Sequence, residues 1–454
     1  MAESNAVAWE NYEAKKAEAS RLIIEQIKAG SGVALGKRTS NLFRPVDNKK
    51  RSQLDLGRFD QVIAIDRERR IADVEGRITY EALVRETLRH GFLPPVVPQL
   101  KSITLGGAIS GGGIESSSFR YGFVHESILE MDILLPSGEI VTCNPDNEHR
   151  ELFFGIPSSY GTFGYILRVR IPLVAAAPFV KLEHRRFESA EACFEAMDAI
   201  CSEEGERADF VDGVVFSPNE LYLTIGRFVE EAPEVSDYRF MRIYYRSIRE
   251  RKTDYLRTAD YIWRWDTDWF WCARAFGMEI APIRFVFGML GLLRSTTYWK
   301  LRQWALKVGL VAWLQRKQPR EDVIQDIEVP VERATEFLEF FQQRIDLRPV
   351  WLCPAKAPSR ENDYVLYRTD PDLLYVNFGF WGTVPTNEPP GFHNRLIEKK
   401  VIELDGKKSL YSSSYFSEDE FWEIYNRPEY DRLKAKYDPA GRLRNLYEKC
   451  VREF

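Results

Sequence analysis

Cysteine is scarce in this sequence: six in 454 residues, at positions 143, 193, 201, 272, 353 and 450, with no C-x-x-C pair. That spacing excludes a zinc ribbon and a dithiol redox centre, and scattered thiols in a long chain suit a reducing compartment. Histidine is scarcer still, with five residues, and H-E-x-x-H does not occur. No metal-ligand spacing and no Ser/His/Asp or Cys/His array is legible. An excess of one charge is also missing: 63 basic against 68 acidic residues leave a net charge of −5, which gives no general reason to expect nucleic acid. No uninterrupted apolar run reaches the roughly 18 residues of a spanning helix. The polar, acidic start MAESNAVAWENYEAKKAEAS lacks the apolar heart of a secretion signal. A cytoplasmic protein without a membrane-crossing anchor is expected. Two common nucleotide loops, G-x-G-x-x-G after a first strand and G-x-x-x-x-G-K-[ST], are absent as well.

What is present is a globular composition, 44% hydrophobic and 29% charged, in a chain too long for one ordinary core. Two domains, or three, are expected. Ala19, Leu22, Ile23 and Ile27 lie at helical spacing within residues 12–29, and Gly30 and Gly32 end the run. Short β-rich segments follow, LDLGRFDQVIAID and RIADVEGRI, and then a helix over 79–90. This alternation argues for an α+β or α/β domain. The informative stretch is PQLKSITLGGAISGGGIESSSFRYG, residues 98–122, with six glycines and the trio Ser116, Ser117 and Ser118. Glycine lets the backbone approach a ligand and turn successive N–H groups toward anionic oxygens. Taken alone, such a run is equally a structural turn. After it, SILEMDILLPSGEIVTCNP reads as two strands about a Pro-Ser-Gly turn. A second small-residue loop, Ser158 to Gly164, then precedes a further strand.

In that order, VEGRITYEAL, PQLKSITLGG, GGGIESSSFRYG, LPSGEIV and NEHRELFFGIPSSYGTFG resemble the FAD-binding domain of the vanillyl-alcohol-oxidase (PCMH) type. GGGIESSSFRYG is more narrowly similar to the sterol side-chain (delta-24) reductase branch. VIQDIEVPVE, RPVWLCP, LYVNFGFWG, EDEFWEIY and GRLRNLYEKCV resemble that branch too, so the likeness covers nearly the whole chain. It implies an α+β protein: a two-subdomain FAD-binding domain over 1–175, an antiparallel-sheet cap or substrate domain with helices over 176–415, and C-terminal helices over 416–454 that return to the FAD domain. It implies that Gly106, Gly107, Gly111, Gly112 and Gly113 hold the FAD diphosphate. Thr104, Ile114, Glu115, Ser116, Ser117, Ser118, Tyr121, Gly161, Thr162, Gly164 and Ile166 would line the rest of the cofactor. The early turn with Gly36, Arg38, Thr39, Ser40 and Asn41 occupies the family's first phosphate loop. It has no glycine pair and no histidine, so a histidyl-flavin link there is chemically impossible and non-covalent FAD is expected.

Composition changes again after Pro178, toward strands and helices that suit an antiparallel sheet with helices on one face. Seven of the 11 tryptophans fall between Trp263 and Trp313, and residues 280–320 hold eight Lys/Arg and no Asp or Glu. APIRFVFGMLGLL and TTYWKLRQWALKVGLVAWLQRK read as amphipathic helices suited to an anionic membrane surface, expected to be the inner face. A buried cap helix and a homo-oligomer interface are the alternatives. With no catalytic array of its own, the chain leaves the chemistry to the flavin: the resemblance implies hydride transfer between flavin N5 and a carbon–carbon unit of a lipid. NADPH is a candidate electron donor. Tyr411, Tyr415, His393, Arg264 and Asp266 are the candidate proton-handling residues. Aromatic faces from Trp263, Trp265, Tyr415 or Trp381 would stabilise positive charge. The corresponding sterol-reductase segment is richer in histidine, and those of eukaryotes carry an N-terminal anchor not seen here. A methyl-branched or methylene fatty acyl chain of a phospholipid is therefore the first expectation. A delta-24-type sterol, a polar alcohol or sugar, and a non-catalytic lipid-binding role follow.

Overall fold

Alanine, glutamate and lysine favour helix from the first residues onward, and the helix Ala2–Lys28 begins well before the stretch whose apolar spacing marks it. Its Tyr12, Ala19 and Ile23 are buried. The computed structural model describes residues 2–29, 33–36, 43, 52–202, 205, 207–309, 319–359, 361 and 363–451. The long helix docks on a five-stranded sheet ordered Val62–Asp66, Ile71–Glu75, Tyr165–Pro172, Glu130–Leu134, Ile140–Cys143, antiparallel throughout. Tyr165–Pro172 takes the central position because nearly all of its side chains are buried. Its Arg168 bridges Asp73 (2.6 Å), Glu130 (2.6 Å) and Asp132 (2.9 Å). The helix joins this network where the Tyr12 hydroxyl donates to Asp132 (2.7 Å) and Lys15 pairs with Glu75 (2.8 Å).

The second sheet has eight strands in the order Thr253–Arg257, Phe179–Phe187, Glu220–Val229, Phe210–Ser217, Val350–Ala355, Tyr375–Pro385, Arg320–Pro330, Lys407–Lys408. Every neighbouring pair is antiparallel. Helices Ala190–Cys201, Val331–Arg344 and Phe392–Glu403 cover one face. Alternation along a strand then decides which residues meet them. In Arg320–Pro330, Val323, Ile327 and Val329 pack under the helices, as do Val376, Phe378 and Phe380 of Tyr375–Pro385. The intervening residues, Asp326, Glu328, Asn377, Gly379 and Trp381, therefore share the opposite face. Along the chain the five-stranded sheet ends at Pro172 and the eight-stranded one begins at Phe179. The chain is thus α+β.

The tryptophan-rich segment is divided between core and surface. Trp265, Trp269 and Trp271 are buried, stacked, edge-on or tilted against Phe270, Trp299 and Trp381. The two amphipathic helices are Ala281–Met289 and Ser295–Lys307. Several of their basic groups are already partnered: Arg284 is buried against Asp268 (3.1 Å), Arg294 meets Glu81 (3.3 Å) and Arg302 meets Asp322 (3.2 Å). Trp313, Arg316 and Lys317 lie outside the described residues.

Candidate active site

The glycine-rich stretch is not a simple loop. Leu105–Gly111 forms a two-turn helix, with Thr104 extended at its start and Gly112 left-handed (φ 72°) at its end. The apolar Leu105, Ala108 and Ile109 are buried and hold it in place. Some of its glycines serve chain packing. The Gly106 amide donates to the Gly76 carbonyl (2.8 Å), and a Cβ on Gly106 would lie 2.8 Å from that oxygen. A Cβ on Gly76 would lie 2.4 Å from the Ile166 carbonyl oxygen. Gly111 differs: a Cβ there would meet only the Tyr160 ring at 3.6 Å.

This backbone forms one wall of a cleft of about 620 Å³, within the range of cofactor and ligand sites. Thr104, Gly106, Gly107, Gly111, Gly112, Gly113, Ile114, Gly161, Gly164 and Ile166 line it. The amides of Gly107, Ile114, Gly161 and Gly164 have no hydrogen-bond acceptor among the described residues, and Ile114 and Gly164 are buried. A buried N–H without a partner is costly unless a bound group satisfies it. Such donors fit the phosphoryl and ring oxygens of FAD. The lining also has an aromatic and apolar part: Phe43, Leu100, Ile103, Trp269, Phe270, Trp351 and Trp381. The C-terminal segment closes one end with Leu443, Arg444 and Lys449, and Lys449 donates to the Tyr160 carbonyl (2.6 Å). No histidine lines the cleft among the described residues.

The other expected residues are placed elsewhere. Gly36 adjoins the cleft-lining Leu35, and its carbonyl accepts from Arg77 (3.3 Å). Arg38, Thr39, Ser40 and Asn41 lie outside the described residues. Ser116, Ser117 and Ser118 are buried with their hydroxyls engaged by protein. Ser116 meets the Tyr261 hydroxyl (3.0 Å), Ser117 donates to the Pro95 carbonyl (2.7 Å) and Ser118 accepts from the Glu115 amide (3.1 Å). Thr162 is buried and donates to the Ser159 carbonyl (2.9 Å). Glu115 and Tyr121 border a separate cavity of about 250 Å³.

Of the five proton-handling candidates, only Tyr411 lines the cleft. The chain before them is strand only over Lys407–Lys408, so no strand alternation puts Tyr411 and Tyr415 on one face. Tyr415 turns away, its amide on Glu398 (3.1 Å) and its ring against Gly391. His393 sits on the helix side of the sheet, where Nδ1 meets Glu321 (3.0 Å). Asp266 accepts from the Lys101 amide (3.0 Å) and the Ser295 hydroxyl (2.6 Å). Arg264 is fully buried and joins Glu115 (3.0 Å) to Asp212 (2.8 Å), clamped by the Tyr261 ring at 4.1 Å. Burial pushes the Glu115 carboxyl up, and Arg264 opposes that rise. Of the aromatic candidates Trp381 lines the cleft, whereas Trp263 and Trp265 do not.

Two carboxyls that sequence reasoning passed over do line it: Asp326 and Glu328. Their signal was legible as acids alternating with Ile327 and Val329 in VIQDIEVPVE, but only once that strand's inner and outer faces were assigned. Asp326 accepts from Asn377 (3.0 Å) and is hydrogen-bonded to Tyr411, whose hydroxyl accepts from the Trp381 indole N–H (2.8 Å). Burial lifts its pKa to about 6. Glu328 accepts from the Tyr367 hydroxyl; burial, aided by the nearby Asp326 charge, lifts its pKa to about 8. Gly379 leaves room for this group, since a Cβ there would lie 2.6 Å from the Trp381 ring and 2.7 Å from Asp326 Oδ1. Ser409 ties the two walls together, its amide on the Asp326 carbonyl (3.0 Å) and its hydroxyl at 3.5 Å from the Gly111 carbonyl.

Residues 27–144 match the family model described as an FAD binding domain. Over 415 residues the chain is 28% identical to the delta(24)-sterol reductase of Homo sapiens, covering 86% of this chain and 76% of the human one. It is 27% identical over 449 residues to the delta(24)-sterol reductase of Arabidopsis thaliana, covering 90% and 78%. Cytokinin dehydrogenase 8 of Oryza sativa subsp. indica is 30% identical over 181 residues, 39% of this chain and 34% of its own. The chain is an FAD-binding oxidoreductase with a PCMH-type FAD binding domain, similar over most of its length to the delta(24)-sterol reductases.

Proposed function

We propose that this protein reduces a carbon–carbon double bond in a lipid, with the delta(24) double bond of a sterol as the first candidate. The observation that carries the reading is the cleft, lined both by unpaired glycine-loop amides and by aromatic side chains. Bound there non-covalently, FAD supplies hydride transfer to or from carbon. The unpaired amides hold its oxygens, while Trp269, Phe270, Trp351 and Trp381 exclude water and accept an apolar chain. The sequence put a methyl-branched or methylene fatty acyl chain first. Similarity to sterol reductases over 86–90% of the chain supports the sterol instead. NADPH is the proposed electron donor.

The test is anaerobic. Purified protein should be yellow, bleach with NADPH, and regain colour with a delta(24) sterol. Recovery only with a methylene fatty acyl phospholipid overturns the sterol assignment. Recovery only with a polar carbonyl compound overturns the lipid, and a colourless protein incapable of taking up FAD overturns the flavin.

The partner surface we propose is an anionic bilayer, such as the inner face of a cytoplasmic membrane. No helix among the described residues is long and apolar enough to cross a membrane. Helix Ala281–Met289 and its surroundings nevertheless expose Phe285 (50%), Met289 (68%), Leu290 (66%) and Trp304 (59%). Lys300 and Lys307 stand on the next helix. On the helix that carries Trp304, Trp299 meets Phe43 (5.1 Å) and Trp269 (6.2 Å), both of which line the cleft, and this contact supports an apolar route inward for lipid. Vesicles of phosphatidylglycerol should co-sediment the protein, and the double substitution Met289→Ser, Leu290→Ser should release it. Equal sedimentation of both forms, or a dimer that buries the patch, overturns this.

A further inference from the structure

We infer that the Glu328 carboxyl is the acid that hands a proton to the substrate double bond, with Asp326 beside it as the paired carboxylate. This deepens the double-bond reduction proposed above and rests on it. The two acids are two residues apart on the cleft face of Arg320–Pro330, about 7 Å along the strand. Both border the space that also contacts the glycine loop. Ser409 links the Asp326 backbone to Gly111, so the acids and the loop are a few bonds apart rather than at opposite ends of the cleft.

The three proton-bearing groups of this face are not equivalent. Tyr411 is a poor acid, because burial and the adjacent Asp326 hold its phenol well above its ordinary value. Asp326 has Asn377 and Tyr411 as partners and ionises near pH 6, which makes it the anion at neutral pH. Glu328, with the Tyr367 hydroxyl on it, stays protonated to about 8. A neutral carboxylic acid beside a carboxylate is the arrangement that splits two acids into a donor and an electrostatic partner. In the reaction one alkene carbon receives hydride and the other the Glu328 proton. The two electrons come from the reduced cofactor, which ends oxidised. Glu328 ends as a carboxylate and regains its proton from solvent. Positive charge developing on the more substituted carbon faces the Asp326 carboxylate and the Trp381 and Trp351 rings.

The test compares wild type with Glu328→Gln, both loaded with FAD. The wild-type-minus-variant infrared difference spectrum should show a protonated-carboxyl band at pH 7 that titrates away near pH 8. Flavin content and bleaching by dithionite should be equal in both. Reoxidation by the alkene should slow roughly 10²–10⁴-fold in the variant, as expected on losing a general acid, and in wild type it should fall as pH rises through 8. A variant reoxidised at the wild-type rate, or a difference spectrum without that band, overturns the inference while the double-bond reading stands. A wild type that no lipid alkene reoxidises overturns that reading, and this inference with it.

Discussion

Replacing Arg264 by methionine separates a catalytic arginine from a structural one. The side chain is fully buried, and its one guanidinium faces two carboxylates, Glu115 at 3.0 Å and Asp212 at 2.8 Å. Glu115 belongs to the glycine-rich stretch and Asp212 to the eight-stranded sheet, so the ion group joins the two parts of the chain. Removing the cation leaves two buried acids facing each other. Breaking a buried pair in this way costs about 3–5 kcal/mol. Urea melts at pH 8 should show that loss. The difference should shrink toward pH 5, because burial already pushes Glu115 up and without Arg264 it rises further. A native state that binds the extra proton gains stability as pH falls. An unfolding free energy within about 1 kcal/mol of wild type at pH 8, with activity lost, would refute the structural role and return Arg264 to the chemistry.

Two glycines of the same helix should answer differently to alanine. Gly106→Ala drives a Cβ to 2.8 Å from the Gly76 carbonyl oxygen, so it should destabilise the fold measurably in a thermal melt. Gly111→Ala has room against Tyr160, and a helical alanine should hold or raise stability by up to about 1 kcal/mol; flavin titration should nevertheless show weaker binding. Equal melts for the two would contradict the packing described. Glu328 should also make folding pH-dependent. Its raised pKa means the native state keeps a proton that the unfolded chain releases above its ordinary value of 4.5. Stability from this group is present at low pH and declines by about 1.4 kcal/mol per pH unit until about 8. The slope should vanish in Glu328→Gln.

Sequence was most informative where composition alone carries meaning. Glycine density around residue 110 pointed to a backbone-lined site, and the loop with Gly161 and Gly164 lies on the same cleft. It was least informative where direction matters. Ser116 to Ser118 looked like donors for a cofactor, but their hydroxyls satisfy protein atoms, which a string of residue names does not reveal. Trp265, Trp269 and Trp271 drew attention by number, yet local turns at Trp269 and Phe270 (φ 47° and 60°) send them inward. Tyr411 and Tyr415 were equivalent candidates by residue type, and only Tyr411 reaches the cleft. Asp326 and Glu328 needed tertiary pairing to acquire a face.

The missing side chain at position 379 has a reach beyond its own site. Indole and carboxylate occupy the volume that any larger residue there would claim. The floor of the chamber is thus shaped by a position that offers nothing to bind. A single methyl at 379 would tilt the Trp381 ring and displace the acid in one stroke, coupling the outline a guest must match to the chemistry it meets.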